Sequence, residues 1–421
     1  MKKKLIVIGG GASGFFCAVN AARLCKNLEV IIVEKTAKLL SKVKVSGGGR
    51  CNVTHYAEEV SDMTPAYPRG KNFMKKSLYR FSSNDTVSWF RERGVLLKTE
   101  QDGRMFPVSN DSQSIIDCLL NESAKYGVKI LMQTRVEEIK PNLKGGFELS
   151  LHGLDKLGQD FHADFMCIAT GGSPMASGFD WLKNLGVEIE APVPSLFTFN
   201  IADKKLHELM GVSVTDVAVK ITNTGMQERG PLIITHWGLS GPAVLKMSSI
   251  AARDLHKLNY DFRVRLNWVP LFHESSILQD LKDNRIKFAK QSIGTKNPYN
   301  LPSRLWSYLL EKSMIFSDQS WSNVTTTSIN TLAKVICADE YQVQGKTTFK
   351  EEFVTAGGVM LECINQATME SNLIKGLYFA GEVLNVDGIT GGYNFQHAWS
   401  SGWTVAMHIS EVSNHNVSLN A

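Results

Sequence analysis

The 421-residue sequence has no CxxC pair, no HExxH, no GxSxG and only one GxGxxG. Each absence removes a class of protein. Seven cysteines, an odd number without close pairing, do not make a disulfide framework, so a reducing, cytoplasmic setting is expected. Ten histidines without paired metal spacing give no reason to expect a metal site. Ser240 lacks the nucleophile elbow, so a hydrolase triad is not expected. Apolar residues at 43% and charged residues at 21% exclude disorder, collagen and coiled coil. Long apolar runs are scarce too. Leu5 to Ala22 is uncharged for 18 positions. However, Gly9, Gly10, Gly11 and Gly14 would each cost a helix about 1 kcal/mol. A buried strand, a tight turn and a helix explain those letters better than a signal peptide or membrane span.

At about 150 residues per domain the chain should hold two or three domains. Its charge is uneven. Residues 1–110 carry 19 Lys and Arg against 9 Asp and Glu, and the rest 27 against 32. A basic N-terminal part suits an anionic ligand such as a pyrophosphate, or simply a solvated basic face. No basic run with interleaved aromatics is read, so no nucleic-acid partner is expected.

The pattern is α/β at both ends, with a proline-rich, short-stranded middle from about Pro192. Strands are expected at 4–9 and 28–34 around a helix at 12–26, which makes one βαβ unit. Loop is expected over 36–70, then helices at 71–80, 83–93 and 111–126, and strands at 127–139, 147–152 and 161–168. Residues 260–268 alternate like a strand, the spacing from 272 to 325 is helical, and 347–355 and 376–380 return to strand before a helix at 394–411. The expected fold class is therefore α/β. A Rossmann-like domain with a single dinucleotide fingerprint is assembled from both chain ends (1–191 and 351–421), around an inserted module.

Gly9-x-Gly11-x-x-Gly14 follows a strand and opens a helix. The first glycine permits the turn, the second lets backbone approach a pyrophosphate, and the third lets helix pack on strand. The helix N-terminus, at Ala12 and Ser13, offers N–H groups to the anion. Glu34, 20 residues past Gly14, stands where a carboxylate accepts ribose hydroxyls. FAD and NAD share this half-site. The FAD reading rests on a second strand-to-glycine-loop-to-helix unit, Gly376 to Glu382 and then Asp387 to Asn394, whose acid could bond a polyol. With no second fingerprint, NAD(P)H would visit the flavin only transiently.

At Ser46-Gly-Gly-Gly-Arg-Cys-Asn-Val-Thr54 the sequence resembles the BaiN-like, aminoacetone-oxidase-like bacterial flavoproteins. The likeness continues through Asp102-Gly-Arg-x-Phe-Pro107, Ala169-Thr-Gly-Gly172, Thr235-His-x-Gly-Leu-Ser-Gly-Pro242, Val354-Thr-Ala-Gly-Gly-Val359, Gly376-Leu-Tyr-Phe-Ala-Gly-Glu382 and Gly391-Gly-Tyr-Asn394. The resemblance implies a β-barrel-like insert (192–270 and 326–350) carrying a small helical subdomain (271–325). It implies that Gly9, Gly11, Gly14, Glu34 and Lys35 hold the adenosine and pyrophosphate, with Val136 beside the adenine. Gly48, Gly49, Arg50, Cys51, Asn52, Thr170, Gly171, Gly381, Glu382, Gly392, Tyr393 and Asn394 would surround the ribityl chain and flavin ring. His55, where the family more often has Asn, and Lys44, in place of an apolar residue, are departures.

Three residues are candidates for chemistry. Cys51 beside Arg50 suggests a lowered thiol pKa, His236 an acid or base, and Tyr393 a proton donor. Arg50 and Arg104 suit anion contacts or structural ion pairs. His397, Trp399 and Trp403 read as core. The expected function is an FAD-dependent oxidoreductase moving hydride through flavin N5, as an NAD(P)H-linked reductase of a small unsaturated substrate. Three alternatives stay open: a flavin amine oxidase passing electrons to oxygen, an NAD-dependent dehydrogenase using the single fingerprint, and an RNA-associated flavoprotein with structural FAD.

Overall fold

The computed structural model describes residues 2–142, 145–153, 159–347 and 354–418. It divides into two units, Met1–Pro194 with Lys350–Ala421, and Ser195–Phe349. The expected return boundary at 350/351 and much of the expected strand 347–355 lie outside the described residues.

The first unit is built on five parallel strands: β1 (Lys3–Ile8), β2 (Leu28–Val33), β3 (Lys129–Leu131), β4 (Phe165–Ile168) and β5 (Leu377–Phe379), in the order β5-β4-β1-β2-β3. β4 and β5 are wholly buried and β1 and β2 nearly so, as continuous Ile/Val/Leu runs require when helices cover both faces. Helix Ala12–Leu24 packs along the C-terminal helix Tyr393–Ser418. Their closest approach needs Gly402, where a Cβ would lie 2.8 Å from the Ser13 carbonyl oxygen. Phe16 meets Trp89, Trp399 and Phe81 at ring distances of 4.7, 5.2 and 5.3 Å, so Trp399 is core.

Three expectations change. Residues 41–49 form a short helix broken at Ser46–Gly48, inside the expected loop. The single strand expected over 127–139 is two: β3 joins the parallel sheet, and Thr134–Pro141 starts a three-stranded antiparallel sheet. Gln133, at φ +50, turns the chain between them. The stretch 161–168 likewise divides at Asp164, whose carboxylate accepts the Lys4 N–H at 2.7 Å.

The second unit is a seven-stranded antiparallel sheet, ordered 339–344, 261–267, 213–221, 227–235, 238–240, 198–200, 346–347. Its first and last strands are consecutive pieces of one segment, separated by Gly345. The Gly345 N–H donates to Tyr260 O at 2.8 Å and its carbonyl accepts from Asn200 N at 3.2 Å, so the sheet curls into a barrel-like closure. Helices Glu274–Lys287, Ser303–Lys312 and Thr326–Cys337 share one apolar core with it.

Candidate functional site

The fingerprint glycines differ in what surrounds them. A Cβ on Gly9 would lie 2.3 Å from the Ala169 carbonyl oxygen, and one on Gly14 would lie 2.0 Å from the Gly9 carbonyl oxygen. Packing demands both glycines. Gly11 faces open space instead, with no atom within 4 Å of a Cβ. Helix 12–24 starts there with no side chain capping its first N–H groups, which leaves donors and a positive dipole end for an anion. Ala12 is half-buried and Ser13 buried beside them. At the tip of β2, Glu34 Oε2 accepts from Gly10 N and Oε1 from Thr36 N, both at 2.8 Å. Lys35 is exposed, and half-buried Val136 lies on the strand whose Thr134 N–H donates to the Glu34 carbonyl at 2.9 Å.

A second wall joins the runs 46–55 and 388–394. Gly47, Gly48 and Gly49 have φ of +59, +69 and +82, and Gly48 and Gly49 also face open space. With its amide oriented to satisfy both ends, Asn52 accepts from Gly392 N and donates to Thr54 O, each at 3.0 Å. Trp399 Nε1 donates to Val53 O at 2.9 Å, and Thr54 Oγ1 to Gln396 Oε1 at 2.6 Å. Asn394 spends both ends of its amide on Gly388, at 2.8 and 3.0 Å, and so fixes the loop's shape. Tyr393 stacks on His55 at 4.7 Å, and His55 Nδ1 donates to the Gly391 carbonyl at 3.0 Å. Burial pushes the Tyr393 phenol up to about 12, so it stays protonated at neutral pH.

The third part follows β5. In the sheet, β4 lies between β5 and β1, so the two acid-tipped strands do not directly flank the fingerprint. Glu382 pairs with Lys42 at 2.5 Å and accepts from Thr355 N at 3.0 Å. A Cβ on Gly171 would lie 3.8 Å from the same carboxylate, just beyond exposed Thr170. Gly381 N donates to Ser401 Oγ at 2.8 Å, and buried His397 donates from Nε2 to Gly381 O at 3.0 Å. Burial drops the His397 imidazole to about 4, and its Nδ1 has no partner among the described residues. Lys42 is an addition to the site, while His397 is buried as its reading as core expects. Nothing in the sequence spacing marks Lys42, which meets an acid 340 residues away.

One expectation is corrected. Burial pushes the Cys51 thiol up to about 12, the reverse of the activation expected from Arg50. The Arg50 guanidinium is committed to Glu100 at 2.7 Å and lies 4.0 Å from the centre of the Phe106 ring, while Arg104 pairs with Asp102 and Glu100. Helix Lys71–Arg80 gathers Lys71, Lys75, Lys76 and Arg80 on an exposed face with Tyr79, which is 69% exposed. His236 belongs to the second unit, exposed in a turn against Trp237.

Residues 3–408 match the family model of the HI0933-like protein Rossmann domain. The chain belongs to that family. This HI0933-like chain is 31% identical over 418 residues to a ribosomal RNA dihydrouridine synthase of Haemophilus influenzae, covering 96% of this chain and 98% of that protein. It is 27% identical over 413 residues to a 3-dehydro-bile acid delta(4,6)-reductase of Clostridium scindens, again covering 96% and 98%. Among solved structures, a 3-ketosteroid delta1-dehydrogenase from Sterolibacterium denitrificans superposes with a TM-score of 0.53 at 11% identity, over 97% of this chain and 99% of that one, a likeness of fold. The HI0933-like α/β unit is a Rossmann-type FAD-binding domain, and the protein is a flavoprotein oxidoreductase. No helix among its described residues is long and apolar enough to cross a membrane.

Proposed function

We propose that this protein is an NAD(P)H-linked FAD reductase that saturates a carbon–carbon double bond conjugated with a carbonyl, with uridine in RNA as its substrate. The observation that carries the cofactor half is the open space at each of Gly11, Gly48 and Gly49, beside glycines that packing alone explains. The substrate half is supported by relatives named for dihydrouridine synthesis and for enone-type reduction. Gly11 and the free N–H groups after it would hold the pyrophosphate, Glu34 the ribose, and Gly48, Gly49, Gly171, Lys42 and Glu382 the ribityl chain and ring. Bound FAD supplies a two-electron hydride carrier.

The net reaction balances as C=C plus NAD(P)H plus a proton, giving the saturated bond and NAD(P)+. The proton needs a donor, and the Tyr393 phenol, buried and stacked on His55, can hold one. His55, tied through Nδ1 to the Gly391 carbonyl, holds that ring in place. With one fingerprint in the chain, donor and substrate use the same opening in turn. A small free enone is the second reading, favoured by the 27% identical relative.

The test is anaerobic. NADPH or NADH should bleach the flavin bands, and uridine-containing RNA should restore them while a uridine gains two hydrogens by mass spectrometry. Bands that persist under both nucleotides overturn the reductase direction and favour amine oxidation. Reoxidation by a small enone but not by RNA overturns the RNA half.

A further inference from the structure

Helix Lys71–Arg80 divides cleanly by its 3.6-residue period. Phe73, Met74, Ser77 and Leu78 are buried, while Lys71, Lys75, Tyr79, Asn72, Lys76 and Arg80 follow one another around the opposite, exposed half. No acid occurs between Asp62 and Asp85 in the sequence. Among the described residues none of Lys71, Lys75, Lys76 and Arg80 makes an ion pair with a carboxylate.

The arrangement opposes the helix's own stability. Lys71 sits in the first turn, at the positive end of the dipole, where acids are favoured. Lys71 with Lys75, and Lys76 with Arg80, are like-charge pairs one turn apart. A polyanion laid along the face would relieve both. Exposed Tyr79, in the middle of the stripe, offers a ring on which a base can stack.

The helix is also fastened at both ends, to the candidate cofactor loop before it and to the C-terminal helix after it. Before it, Arg69 forms a buried ion pair with Asp387, Gly70 lies against Val386, and Ala66 O accepts from Ile389 N at 2.9 Å. After it, Phe81 O accepts from Ser400 Oγ at 2.6 Å and Gln396 Nε2 at 3.2 Å. A strand held on this face is therefore held at a fixed distance from the 381–392 loop.

We infer that the exposed face of helix 71–80 docks the phosphodiester backbone of the RNA substrate, with Tyr79 stacking on a base. The inference rests on the RNA reading above. It is tested with the FAD-loaded full chain by fluorescence anisotropy of a labelled, uridine-containing single-stranded RNA across a salt series. K71E/K75E/K76E should weaken binding at least tenfold and flatten the salt dependence by about two to three phosphate contacts. Tyr79→Ala should weaken it about fivefold or more without changing that slope. Flavin absorbance and melting temperature verify the fold, and K75Q/K76Q replaces the triple reversal if that variant fails to fold. Reversing Lys282, Lys287 and Lys290, in the second unit, should change nothing. Wild-type affinity and slope in K71E/K75E/K76E, with RNA still reduced, overturn the docking face and leave the function standing. Wild-type protein that neither binds nor reduces RNA, yet reduces a small enone, overturns both. Retention on anionic vesicles without RNA binding also overturns the inference.

Discussion

The Glu34 carboxylate accepts the backbone N–H of Gly10 at 2.8 Å, across 24 residues of sequence. With the second bond to Thr36 it ties the tip of β2 to the fingerprint turn, so the residue placed to bond a ribose also holds the turn's shape. Hydrogen bonds to a charged group are worth about 1.5–3 kcal/mol each. Glu34→Ala should therefore weaken FAD retention at least tenfold and lower the melting temperature of the apoprotein as well. Glu34→Gln, keeping one acceptor, should fall between. Flavin retained through ultrafiltration measures the first effect, and unchanged retention in the alanine variant would remove Glu34 from the ribose site.

His397 makes stability depend on pH. Its folded imidazole titrates near 4 because burial disfavours the cation, against 6.5 unfolded. Between those values the unfolded chain holds a proton that the folded chain lacks, so stability is full above pH 6.5 and falls as pH drops towards 4. The loss over that window is roughly 3 kcal/mol. His397→Gln should flatten this part of the profile. Denaturant melts at pH 7 and pH 5 give the comparison, and an equal acid loss in both proteins would assign it to other groups.

Local features were readable from the sequence. Gly9, Gly11, Gly14 and Glu34 lie within one βαβ unit, and their spacing carries their roles. The long-range features were not readable. Lys42 meets Glu382 only because helix 41–49 and the end of β5 converge, and no spacing encodes that. The basic face of helix 71–80 is scattered when read along the chain and gathers only around a helix. The strand break at Gln133 comes from a left-handed residue that alternation of apolar and polar letters does not reveal.

Cys51 illustrates burial outweighing a neighbouring charge. Its thiol is fully buried and pushed up to about 12, so at neutral pH it is protonated and shielded. Cys51→Ala should keep both flavin occupancy and the rate of NADPH bleaching. In the native protein Cys51 should resist alkylation and react only after denaturation. A large rate loss with full flavin occupancy would restore a chemical role to the thiol.

Gly11 and Gly14 separate ligand space from packing space within one motif. Gly11 has φ −94 and ψ −171, a backbone open to alanine, and its Cβ would meet no atom within 4 Å. Gly11→Ala should therefore fold with nearly wild-type stability and yet fail to retain FAD, because the added methyl occupies the space through which backbone approaches the pyrophosphate. Gly14→Ala would drive a Cβ to 2.0 Å from the Gly9 carbonyl oxygen, rigid backbone that cannot swing aside. It should lose stability by about 1–3 kcal/mol or more before any cofactor is added. Apoprotein melting and FAD titration on the two variants give opposite orders of damage if the cradle at Gly11 is the pyrophosphate site. A Gly11→Ala protein that binds FAD like the wild type would place the pyrophosphate elsewhere.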